Sequence, residues 1–134
     1  MSVGTVPPES LSVECRNCLE LELEFMYDDL MEKAEDEDIS PRERRRASRS
    51  ARKLKNLANS PRKMARVEKF VADKAYSHHV ATGRVGAFGD GSILAWLQDG
   101  GLEELLKFIL GIMGGIADLF LVGPFIAMCI VSAL

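Results

Sequence analysis

The chain has 134 residues, 47% hydrophobic and 28% charged, with a net charge of −3. That length allows one small domain at most. Three cysteines, Cys15, Cys18 and Cys129, exclude a disulfide framework and fit a reducing compartment.

The modest net charge hides a strong segregation. Residues 1–38 carry twelve acids and two bases, and residues 39–79 carry thirteen bases and three acids. Apolar residues crowd into the last thirty positions, which hold only Lys107 and Asp118 as charges. The region before them has so little apolar material that loosely packed helices are expected, settling fully only with a membrane or an oligomer.

In chain order, residues 1–10 read as a disordered, proline-containing lead, without the basic and apolar regions of a secretory leader. Residues 11–38 form an acidic segment. Leu19 to Phe25 alternate apolar and acidic residues, the strand period, but Leu, Glu and Met favour helix. Cys15, Leu19, Leu23, Met26 and Leu30 also make a helical stripe, so the segment is expected to be helical. Leu21 and Phe25 would then form a second apolar face.

Residues 39–79 are expected to form basic amphipathic helices. Ser40-Pro41 and Ser60-Pro61 repeat one start signal, a serine cap followed by proline in the first turn. Ala47, Ala51, Leu54 and Ala58 share one face of the first helix, and Met64, Val67, Val71 and Ala75 one face of the second. Residues 80–101 read as a glycine-rich hinge with a short interfacial helix. Ser92 would cap that helix, Trp96 would sit at headgroup level, and Asp99-Gly100-Gly101 would break it.

Residues 102–134 are expected to be a membrane anchor. A helix from Leu105 to Leu134 would be ~45 Å long, and the best span is Phe108 to Ile130, with a kink at Pro124. Lys107 and Trp96 would be its interfacial anchors. The predicted class is therefore all-α, with a single C-terminal transmembrane helix and charged amphipathic helices outside the bilayer. The basic residues before the span place the N-terminus in the cytoplasm. The alternatives are a re-entrant hairpin turning near Asp118 and a buried helix pair in an oligomer.

Within the span, Gly111, Gly115 and Asp118 fall on one helical stripe, and Gly111-x-x-x-Gly115 has the small-residue spacing that lets helices approach. They are the candidate helix-packing face. Arg44, Arg45, Arg46, Arg49, Arg52, Lys53, Lys55, Arg62 and Lys63 are the candidate membrane-surface or anionic-partner residues. Their partners would be anionic lipid, nucleic acid along residues 42–69, or the chain's own acidic segment. Few aromatics are interleaved with them, so base stacking is not indicated.

Cys15-Arg16-Asn17-Cys18 has half of a zinc spacing, without the other half. Ser48 and Ser60 sit in short patterns of the kind kinases read, but such patterns recur by chance. No catalytic constellation, metal, cofactor or small-molecule substrate is indicated. The layout resembles that of many unrelated tail-anchored, phage and viral small membrane proteins, a likeness of arrangement alone. The expected function is a tail-anchored structural or adaptor protein, a homo-oligomer associating through its anchor. The alternatives are a holin-like or viroporin-like pore former, and a viral or phage protein linking membrane to nucleic acid.

Overall fold

The computed structural model describes residues 11–83 and 86–114. These residues are all helix and turn: α1 (Val13–Ala34), α2 (Pro41–Ala58), α3 (Pro61–Ala81), α4 (Asp90–Trp96), a kinked π-type turn (Leu97–Gly101) and α5 (Leu102–Met113). The lead at 1–10, Arg84 and Val85 of the connector, and residues 115–134 lie outside the described residues.

Local chemistry sets the helix starts. The Ser40 hydroxyl accepts the Glu43 N–H at 3.2 Å, and the Ser60 hydroxyl accepts the Lys63 N–H at 3.3 Å. Proline follows each cap, where its missing N–H costs nothing. Ser12 caps α1 in the same way.

The alternating stretch 19–25 is helical, because helix allows a broad apolar stripe to be buried. Cys15, Leu19, Leu23, Met26 and Leu30 are all buried, as their spacing predicts. Cys18 and Glu22 widen that stripe. α1 and α2 form an antiparallel hairpin through residues 35–40, and Leu30 and Ala47 line one small cleft at its turn. The small side chains of Ala47 and Ala51, both buried on α2, permit close helix approach.

Expectation and structure part on the core. One continuous apolar cluster runs from Leu11 to Met113, and Leu54, Val67, Ala75 and Ile109 are fully buried in it. Each large side chain taken out of water contributes roughly 1.5–3 kcal/mol. The helical region is therefore a packed unit rather than a set of loose helices.

Trp96 is corrected with it. It is 3% exposed, far from a headgroup-level position. Its ring packs edge-on to Phe70 at 6.2 Å, and Phe70 stacks on Phe108 at 4.1 Å. Ile93 and Leu97 are buried alongside. The short helix turns back onto α3 because that helix offers an aromatic and aliphatic wall. Ser92 is not its cap: α4 begins at Asp90, and the Ser92 hydroxyl accepts the Gly89 N–H from inside the first turn. The glycine connector is pinned where Phe88 packs edge-on against Tyr76 and His79.

The helix expected from Phe108 to Ile130 is also corrected. α5 ends at Met113, and Gly114 adopts a left-handed conformation, φ 93° and ψ 22°, that closes the helix. Leu105, Ile109 and Met113 belong to the core. Among the described residues, no helix is long and apolar enough to cross a membrane.

Candidate interaction site on the helical hairpin

The predicted basic residues divide by helix geometry. α2 buries Ala47, Ser50, Ala51, Leu54 and Leu57, so the opposite side must carry its charges. Arg42, Arg45, Arg49, Arg52 and Lys53 form an exposed ridge there. Lys55 is exposed at its margin, with its ammonium 5.6 Å from the centre of the Tyr27 ring. Arg44 and Arg46 are half-buried beside the core. Arg62 and Lys63 lie at the start of α3, apart from the ridge.

α1 carries the opposite ridge. Glu20, Glu24, Asp28 and Glu32 are exposed and recur every four residues, which aligns them along one side of a helix. That side faces away from the buried stripe. Each ridge thus points away from the core, on the side of its own helix opposite the buried stripe. Among the described residues, none of these nine charged side chains has an ion-pair or hydrogen-bond partner within the chain.

The segregated charges thus do not simply cancel inside the molecule. The tie from α1 to α3 has the reverse signs: Arg16 of the acidic segment meets Glu68 of the basic one at 2.6 Å. The four-residue spacing of the acidic ridge is present in the chain but is masked by the alternation of apolar and acidic residues from Leu19 to Phe25.

The packing face expected at Gly111, Gly115 and Asp118 is interrupted. Gly111 is exposed on α5, but the left-handed Gly114 stands between it and Gly115. A four-residue spacing aligns two glycines only along an unbroken helix. Gly115 and Asp118 themselves lie outside the described residues. Lys107 is exposed and pairs with Glu103 at 3.4 Å.

A second polar cluster joins α3 to the segment after it. His78 Nε2 lies 2.9 Å from the Asp99 carboxylate, and His79 Nδ1 lies 3.1 Å from the Ser92 hydroxyl. Ser92 already accepts the Gly89 N–H, so its own proton is available to His79 Nδ1. These residues have the types of a hydrolytic triad but not its wiring. A triad needs one imidazole between acid and nucleophile, whereas here each histidine holds one of them. Adjacent positions on a helix point in different directions, which keeps the pairs apart. Nothing in the sequence pairs Asp99 with His78, since the kink alone brings them together.

Beside His78 runs an open groove of about 550 Å³, lined by Lys74, Asp99, Glu103, Glu104 and Lys107 among others. Trp96 closes its floor and donates its Nε1–H to Glu104 at 3.2 Å. Cys15 and Cys18 are buried in the core as thiols, outside any disulfide, and cysteine there packs as a small hydrophobe. Among the described residues, no group of three or more His, Cys, Asp or Glu side chains is placed to hold a metal ion. No protein-family model, curated protein or solved structure matches this chain.

Proposed function

We propose that this protein is a small membrane-anchored helical adaptor. Residues 115–134 are its anchor, and the α1–α2 hairpin is the face it presents to a partner. One observation carries the reading. Residues 11–113 bury their apolar stripes in a core of their own, and the twenty residues beyond Gly114 are apolar except for Asp118 and the small polar Ser132. A helix over those twenty would be ~30 Å long, the thickness of the hydrocarbon layer.

This boundary relieves a difficulty. A span beginning at Phe108 puts Asp118 toward mid-membrane, where a carboxylate costs ~2.5–3.5 kcal/mol on insertion scales. A span beginning at 115 puts Asp118 in its first turn, near water, where a negative charge also suits the helix dipole. The bases of residues 42–74 orient the N-terminal side toward the cytoplasm in this reading.

Sodium-carbonate extraction tests it. The full chain is expected to stay with the membrane pellet. The double substitution Leu121→Lys with Ile126→Lys is expected to release it, at roughly 2.5–3.5 kcal/mol per buried lysine. Full-length protein appearing in the supernatant without detergent overturns the reading.

A further inference from the structure

We propose that the basic ridge of α2 is a docking surface for anionic phospholipid headgroups, brought to the bilayer by the point at which the chain leaves α5. It rests on the membrane-anchored reading and names what the basic side of the hairpin meets.

The chain leaves α5 beside this ridge. Gly114 closes α5, and a Cβ placed on it would lie 3.6 Å from Lys53 Nζ. The last turn of α5 has no base of its own. The Lys53 ammonium therefore stands near the negative end of that helix, a favourable place for a cation. Residue 115, the first of the proposed anchor, follows directly on the Lys53 end of the ridge. Arg49 and Arg52 lie within about one turn of Lys53, and Arg45 and Arg42 continue the ridge to ~17 Å in all. All five side chains are exposed.

Their chemistry suits phosphate esters. A guanidinium meets phosphate oxygens through two parallel N–H donors, and every member of the ridge except Lys53 is an arginine. Glu43, in the first turn, is the only acid of α2, so a surface laid along the ridge meets one sign of charge. A nucleic acid offers the same phosphates. The ridge, however, holds no aromatic side chain on which a base could stack, and the anchor brings lipid phosphate to Lys53. Each base near an anionic membrane raises binding about five-fold. With the anchor in place the ridge is held at the surface, and contact no longer depends on encounter from solution.

Two measurements on the full chain separate the ridge from the anchor. Carbonate extraction of the wild type reports the anchor alone. For the ridge, the chain carries Leu121→Asp and Ile126→Asp, which oppose insertion. It is sedimented with vesicles of phosphatidylcholine alone, or of phosphatidylcholine with about one-third phosphatidylserine. Binding is expected only to the vesicles with phosphatidylserine, and should be lost at about 1 M salt, where the Debye length is ~3 Å. Adding Arg45→Gln, Arg49→Gln, Arg52→Gln should weaken it about a hundred-fold. Adding Arg45→Lys, Arg49→Lys, Arg52→Lys instead should keep most of it, and Trp96 emission reports the fold of each variant.

Equal binding to both vesicle types, no binding to phosphatidylserine, or binding that survives the glutamine variant overturns the proposal. Absence of lipid binding together with a salt-sensitive shift of duplex DNA, lost in the glutamine variant, assigns the ridge to nucleic acid instead. Wild type in the carbonate supernatant overturns the anchor, and vesicle sedimentation still decides the ridge.

Discussion

Ser50 is fully buried on the inner side of α2, and among the described residues its hydroxyl has no hydrogen-bond partner. A buried hydroxyl left unpaired forfeits its water without recompense, at about 1–3 kcal/mol. Ser50→Ala removes the polar atom and leaves only a methyl-sized space, in a helix that alanine favours. The substitution is expected to raise unfolding stability by about 1 kcal/mol, readable in a urea titration as a higher midpoint with an unchanged slope. Serine stands there between Arg49 and Ala51, in a stretch whose composition suggests solvent. Residue type alone therefore points the wrong way, and its burial follows only from its angular position beside Ala47, Leu54 and Leu57.

Among the elements, the kink after α4 shows how two glycines divide one task. Gly100 takes φ 91°, a backbone conformation that side chains resist. Gly101 is extruded from no such region but lies directly under Trp96. A Cβ on it would fall 2.5 Å from the indole ring and 2.5 Å from the Trp96 carbonyl oxygen. Gly101→Ala must push the indole out of its place beside Phe70, and overpacking of this kind costs typically ~1–3 kcal/mol. The expected result is a lower melting temperature with a changed tryptophan emission, whereas an unaltered spectrum and stability would contradict the packing described.

How far each element was legible follows from the strength of its local signal. The Ser-Pro pairs announce α2 and α3 because cap and proline act within a few residues. The stripe from Cys15 to Leu30 announces α1 because its period outweighs the local alternation. Trp96 carries no such signal, since one indole beside a glycine turn suits a core and an interface equally. The end of α5 is hidden for a different reason. Apolar residues continue through it from Leu105 to Leu134, so hydropathy averages across the boundary that Gly114 makes.

At the level of the whole molecule, a single cluster that includes side chains from every helix should melt as one. Trp96 is the only tryptophan and sits where α3, α4 and α5 meet. Its fluorescence and the far-ultraviolet helical signal are expected to change together through one denaturant transition. Separate transitions would divide the hairpin from the later helices. The charge pattern of the sequence foreshadowed the two-sided surface of this unit but not its orientation. Segment charge says how many acids and bases a stretch holds, and only the helix angles say which of them face water.

The bond between Arg16 and Glu68 has a consequence for alignment. Each is a minority sign in its own stretch of chain, so few alternative mates exist nearby. Sliding α1 by one turn along α3 would set the guanidinium against Met64 or Ala72, neither of which can answer it. Two dissenting charges thus work as a key cut for one notch, discouraging misregistered neighbours that greasy contacts alone would tolerate.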